Sequence, residues 1–305
     1  MDAIQRDLLE QLTGLHEIPV GAYNIRANGQ SVERNTTANI DIVTKEDKQG
    51  IDIYIKDNTQ KESLHIPVIL SQSGLTEMVY NDFHVGDNCD VTIIAGCGIH
   101  NGGDQESRHD GIHTFFIGKN SRVKYVEKHY GSGDGKGERI MNPQTIVELG
   151  EDSYMEMETV QIKGVDSTKR TTKASVADGA KLVITEKLMT HGSQYAESDF
   201  TVDLNGMDSS ANLISRAVAR DDSRQLFLAK INGNNRCAGH SECDAIIMDN
   251  AKISAIPEIT ANHLDAALIH EAAIGKIAGE QLIKLMTLGL TESEAEAHIV
   301  NGFLK

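Results

Sequence analysis

One phrase recurs along the middle of this 305-residue chain: an apolar strand end, a turn of Gly, Asp or Asn, a small residue, then an alternating run. It reads Val85-Gly86-Asp87-Asn88-Cys89-Asp90-Val91, then Ile117-Gly118-Lys119-Asn120-Ser121-Arg122-Val123, then Leu149-Gly150-Glu151-Asp152-Ser153-Tyr154-Met155, then Ala177-Asp178-Gly179-Ala180-Lys181-Leu182. The small residues return after 32, 32 and 27 positions (89 to 121, 121 to 153, 153 to 180), and a looser copy stands at Asp249-Asn250-Ala251-Lys252-Ile253. Strands that come back at a near-constant offset, through turns of like chemistry, stack coil on coil and bury their faces against their neighbours. The pattern predicts a β-solenoid; a β-sandwich with similar hairpins is the alternative it leaves open.

The flanks carry a different period. Ile4, Leu8, Leu9, Leu12 and Leu15 fall at helical spacing over residues 2–16, predicting a short amphipathic helix that ends near Pro19. From about 36 to 270 the period is two, as in Ile51, Ile53 and Ile55. Past Ile269 the residues Ile274, Ile277, Ala278, Leu282, Leu285 and Met286 form one helical stripe, and Thr291 with Glu294 fits a capping box for a second helix. Three segments follow: a helical 1–35, a β core over 36–270 and a helical 271–305, whose helices would cap the solenoid's open end and offer a groove to another protein.

Charge and composition narrow the function. Twenty-nine Lys and Arg against 45 Asp and Glu give a net charge of −16, which argues against broad electrostatic binding of nucleic acid or an anionic membrane. No apolar run approaches the roughly 20 residues of a membrane span, and Met1-Asp2-Ala3-Ile4-Gln5-Arg6 lacks the pattern of a signal peptide, so the expected location is the cytoplasm. Four cysteines, Cys89, Cys97, Cys237 and Cys243, are too few for a disulfide framework and are expected as thiols.

Three segments hold residues of chemical interest. The loop Gly131-Ser132-Gly133-Asp134-Gly135-Lys136-Gly137 invites a phosphate reading, but Tyr130 stands where a P-loop needs its first Gly and Gly137 where it needs Ser or Thr. A flexible turn between coils is the better reading. The run from His100 to His113 gathers His100, His109 and His113 with three carboxylates, ligand types that suit iron or zinc, yet its glycines read as a loop: either a solvated loop or a His-plus-carboxylate metal enzyme. Arg236-Cys237-Ala238-Gly239-His240-Ser241-Glu242-Cys243-Asp244 is followed 27 positions after Cys243 by His270-Glu271. That offset can put Cys243, His270 and Glu271 on adjacent coils about 4.8 Å apart. Thiolate, imidazole and carboxylate together suit iron and sulfide. Cys237, an even six positions earlier, is a candidate second cluster ligand that would point to the same face as Cys243, although Gly239 invites a bulge. A buried structural Cys beside a His-Glu pair at a helix start is the plainer alternative.

Glu242-Cys243-Asp244-Ala245-Ile246-Ile247, His270-Glu271-Ala272, Lys276-Ile277, Glu280-Gln281 and Ile299-Val300-Asn301-Gly302-Phe303 resemble the SufB/SufD family of iron–sulfur cluster assembly proteins. The resemblance runs over roughly residues 80 to 305. It implies a mainly β fold, a right-handed parallel β-helix flanked by helical segments. It also implies a non-enzymatic scaffold that holds a transient iron–sulfur cluster, served by sulfur donors and acceptor apo-proteins. An ABC-type, SufC-like ATPase would dock on the C-terminal helices, here Ile277, Leu282, Leu285 and Met286, and ATP and magnesium would belong to that partner. The matches at Cys243, His270 and Glu271 resemble SufB rather than SufD, which keeps the His alone. The short N-terminal region, Ile269 in place of a Glu and Leu304 in place of a Cys resemble the compact archaeal or anaerobe type, which implies a homodimer bringing two copies of Cys243, His270 and Glu271 together. A SufD-like adapter that never holds a cluster is the rival.

Overall fold

The computed structural model describes residues 1–14 and 19–305. The chain opens with α1 (Ala3–Thr13), capped by Asp2, and two antiparallel hairpins, β1 (Ala22–Ala27) with β2 (Gln30–Asn35) and β3 (Ile40–Thr44) with β4 (Gly50–Ile55). Coils follow as β5 (Gln60–Leu70) and β6 (Thr76–Val85), β7 (Asp90–His100) and β8 (Ser107–Ile117), then β9 (Arg122–Ser132) with β10 (Arg139–Met141) and β11 (Gln144–Leu149). Next come β12 (Tyr154–Lys163) and β13 (Ser167–Val176), β14 (Lys181–Thr190) and β15 (Tyr195–Leu204), then β16 (Ser209–Ala219) and β17 (Arg224–Gly233). The last strands are β18 (Cys237–Ile247), β19 (Lys252–Ala261) and β20 (Ala266–Gly275), before α2 (Gly279–Met286) and α3 (Glu292–Phe303).

Strands alternate between two sheets, β2-β1-β5-β7-β9-β12-β14-β16-β18-β20 and β19-β17-β15-β13-β10-β8-β6-β4-β3, with β11 between β8 and β13. Apart from the two hairpins every ladder is parallel, so the fold is a parallel β-helix of about eight turns and not a sandwich. The recurring phrase makes its corners: Asn88, Asn120, Asp152, Gly179 and Asp249 all adopt left-handed backbone, with φ between 54° and 65°. Asn, Asp and Gly tolerate that conformation best, which is why the turn chemistry repeats.

The flanks differ from expectation in three places. Residues 22–35 are a β-hairpin in the first sheet, not part of a helical segment. α1 covers that hairpin's outer face through Leu8, Leu9 and Leu12 against Ile25, Ala27 and Ile69, so β1 is buried on both faces and shows no alternation. The helix ends at Thr13, where Gly14 turns left-handed; Leu15 lies outside the described residues. At the other end β20 runs to Gly275, placing His270 and Glu271 in a strand, and α3 lies on the outside of the first sheet, with Val300 and Leu304 against Val218 and Met248. The helices therefore leave the solenoid's last coil uncapped. Thr291 and Glu294 do form the capping box, with Thr291 N donating to Glu294 Oε2 at 2.8 Å.

In-register parallel pairing stacks like on like. Phe83, Phe115, Val147, Ala174, Val202, Ile231 and Ile259 form one inward row of the second sheet, the two Phe rings stacked at 4.3 Å. A polar seam crosses this core. Arg26 donates to Glu77 Oε1 at 2.5 Å, Arg170 donates to Glu127 Oε2, and Tyr125 Oη donates to Glu127 Oε1 at 3.1 Å, all buried. Burial alone would raise the Glu127 carboxyl, but the Arg170 guanidinium and His129 outweigh it and hold it well below the usual carboxylate range. Breaking such a pair from one side leaves a bare buried charge. Arg170→Met is expected to lower stability by about 3–5 kcal/mol in denaturant unfolding, and a loss under 1 kcal/mol would show the pair to be dispensable.

Candidate functional site

Alternation along β18 sends Cys237, Gly239, Ser241, Cys243 and Ala245 inward and His240, Glu242 and Asp244 outward. Pairing with β16 and β20 is uninterrupted, so Gly239 makes no bulge and the even offset does aim Cys237 and Cys243 at one face. Six residues of strand still separate them by roughly 20 Å, too far to share an ion within one chain.

On β20, His270 lies in register with Ser241 and Glu271 with Glu242, while Cys243 faces Ala272. His270 therefore shares the inward face with Cys243, and Glu271 points outward. The expected convergence of all three does not occur in one chain, because neighbouring residues of a strand face opposite sides. Glu271 instead approaches His240, 3.9 Å from its Nε2, whose Nδ1 lies 3.0 Å from Asn212 Oδ1. Among the described residues no three His, Cys, Asp or Glu form a group that could hold a metal ion.

The inward rows around Cys243 are informative. Leu64, Ile93, Tyr125, Met157, Ile184 and Leu213 stack along the first sheet, and the same row then turns polar at Ser241 and His270. Ser241 Oγ and His270 Nδ1 are buried without a hydrogen-bond partner. Orphaned buried polar atoms cost stability, and here they sit beside a thiol one coil from the open end. The neighbouring row reads Glu127, Thr159, Glu186, Ser215, Cys243. Glu186, two coils below Cys243, accepts from Ser198 Oγ at 2.5 Å and from Ser215 Oγ at 2.8 Å. Burial, then the Glu186 and Asp244 charges, push the Cys243 thiol up to about 12, so it is held protonated. Burial also raises Cys237.

The other candidates fall elsewhere. In the stretch read as a His-rich loop, residues 101–106 are a loop but 107–113 belong to strand β8, with His109 and His113 inside the solenoid on either side of Gly111, where a Cβ would lie 3.4 and 3.3 Å from their Nε2 atoms. The glycine makes room for two imidazoles and does not mark a loop. His113 Nδ1 lies 2.8 Å from Tyr125 Oη, and burial pushes its imidazole down to about 4. His100 sits apart at a corner, 3.1 Å from Ser132 Oγ, and the free space beside His109 and His113 is about 10 Å³, no room for a substrate. The Gly-rich loop is a tightly stacked corner: a Cβ on Gly133 (φ 98°) would come within 2.2 Å of the Asn101 carbonyl. At the C terminus Ile277 packs on the Val300 cluster, Leu282 and Leu285 are half-buried, and Met286 is exposed together with Ile283 and Leu288. Sequence reasoning missed the seam residues Glu127, Arg170 and Glu186, although Tyr125, Glu127 and His129 do alternate with Lys124, Val126 and Lys128.

Residues 69–303 match the family described as SUF system FeS cluster assembly, SufBD core domain. The chain belongs to the SufBD family of iron–sulfur cluster assembly proteins. It is similar to an iron–sulfur cluster assembly SufBD family protein of Methanothermobacter thermautotrophicus, 29% identical over 244 residues, 78% of this chain and 57% of that protein. It therefore spans little more than half that relative's length. SufBD family proteins of Methanocaldococcus jannaschii (27% over 246 residues, 80% of this chain and 77% of the relative) and Pyrococcus horikoshii (26% over 302 residues, 97% and 84%) are similar too. No helix of the described residues is long and apolar enough to cross a membrane.

In this SufBD chain the Glu186 charge sits beneath Cys243, so Glu186→Gln removes a negative charge that disfavours the thiolate. The Cys243 thiol pKa is expected to fall by about one unit, or roughly tenfold in alkylation rate at fixed pH. Site-resolved mass spectrometry across a pH series measures this; an unchanged profile would mean that burial alone sets the thiol.

Proposed function

We propose that the chain is a homodimeric scaffold on which a nascent iron–sulfur cluster is assembled at Cys243 and handed to acceptor proteins, while an ABC-type ATPase partner supplies the energy. The observation that carries this reading is the polar switch of an apolar row at Ser241 and His270, next to Cys243 and beneath an uncapped coil. Cys243 contributes a soft thiolate and His270 an imidazole, a donor pair suited to ferrous iron. Binding a cation offsets the burial and the negative field that keep the thiol protonated, so proton release and iron uptake go together. Glu271, on the outward face near His240, would reach a cluster only across an interface with a second copy. Hydrolysis of ATP belongs to the partner, and the chain itself does no catalysis.

The open end supports pairing. β19 and β20 are the edge strands of their sheets, and Ile259, Ile269 and Leu264 are exposed there. Unpaired strand edges above an apolar row are a template for a second chain. For the ATPase, the exposed Ile283, Met286 and Leu288 on and after α2 are the fitting surface, with Leu282 and Leu285 behind them and Ile277 committed to the chain's own core.

Anaerobic reconstitution with ferrous iron and sulfide, in the presence of the ATPase, tests the scaffold reading. Wild type is expected to take up iron and sulfide with visible absorbance, and Cys243→Ser to lose it. Equal uptake by both would leave the SufD-like adapter role as the better account. Ile259→Lys puts a charge at the end of the apolar row and is expected to convert a dimer to a monomer by light scattering; a persisting dimer would exclude this end as the interface.

A further inference from the structure

The outer face of the second sheet carries a feature that cluster assembly does not use. Tyr54, His84 and Phe116 lie in one outward row of β4, β6 and β8. Their rings form a column along the solenoid axis, Tyr54 to His84 at 4.8 Å and 10°, His84 to Phe116 at 5.1 Å and 8°. Coil spacing is close to ring spacing, so the parallel ladder itself builds the stack. Tyr54 and Phe116 remain 46% and 37% exposed. Large apolar rings left in water on a fixed scaffold mark a binding surface more often than isolated exposed residues do.

The ends of the column are acidic. Asp41 is in register with Tyr54, and beyond Phe116 the row continues with Glu148 and then the small Ser175. On the rung after Phe116, where a fourth ring would continue the stack, the chain places an exposed carboxylate instead. Glu148 forms no ion pair among the described residues. An open trench of about 710 Å³ runs along this row from Tyr54 to Ser175, with Gly86, Gly118 and Gly150 beside it. α1 packs on β5, β7 and β9 of the first sheet, on the other side of the solenoid.

A group laid over the exposed part of Phe116 beside Glu148 must be flat, to continue the stack, and cationic, to meet the carboxylate. A guanidinium is both: it stacks on an aromatic face and presents paired N–H donors to a carboxylate. An ammonium carries the charge but has neither the plane to continue the stack nor the paired donors. We propose that this trench is a docking site for an arginine-bearing segment of a protein partner, its guanidinium stacked on Phe116 and paired with Glu148. The net charge of −16 draws such a segment in, and the stacking rung selects arginine over lysine. This docking does not depend on Cys243.

Fluorescence anisotropy with labelled hexa-arginine and hexa-lysine peptides at physiological salt tests the proposal on the whole chain. The arginine peptide is expected to bind about fivefold more tightly than the lysine peptide, the margin of a stacked, bidentate guanidinium over a point charge. Phe116→Leu, which keeps apolar packing and removes the ring, and Glu148→Gln are each expected to bring arginine down to the lysine level. The remote Glu292→Gln is expected to leave the preference intact. Equal affinity for the two peptides, no binding of either, or a preference that survives both trench variants would overturn the proposal. The last result would assign the binding to diffuse attraction by the acidic surface.

Discussion

In-register parallel pairing is the constraint on which everything else in this molecule rests. Once a residue faces inward on one coil, the residue above it and the residue below it face inward too, so the core is a set of rows and not a set of contacts. Apolar rows such as Phe83 to Ile259 need nothing more than similar volume at each step. A charged residue placed in a row has no water to turn to. It must find its partner across the narrow interior, as Arg170 on the second sheet does with Glu127 on the first, and Arg26 with Glu77.

The same constraint decides which residues can act together. Cys243 and His270 share one face because both obey the inward rule on adjacent strands, and Glu271 turns outward because it follows His270 directly. Cys243 is also the last polar member of a row that turns polar at Glu127, so its protonation answers to the buried Glu186, two coils farther from the end that a ligand would approach.

Most of the solenoid could be read from the chain, because a left-handed corner residue is needed at each turn and only a few residue types accept it; Asn88, Asn120 and Asp152 announce their coils. The elements that escaped did so where burial erased the two-residue period or where a glycine served packing instead of turning. β1 is covered on both faces, and Gly111 stands in a strand to admit His109 and His113. The site was legible in residue type and coil, but not in face, since the offset from Cys243 to His270 locates a neighbouring strand while the phase of that strand depends on where its preceding turn ends. The seam was hidden because charged side chains in alternation look like the solvated side of a strand.

The two ends of the solenoid are unlike. At the start the antiparallel hairpins finish both sheets with short strands, and β2 presents Gln30, Ser31, Glu33 and Arg34, poor templates for further pairing. At the finish β19 and β20 stop with their rows unfinished. A rod that is blunt at one end and sticky at the other can join its like only once, because two sticky ends consume each other and leave two blunt ones. Pairing of the kind proposed above would then halt at two chains, and a fold that shares its strand spacing with amyloid would be kept from growing into a fibre.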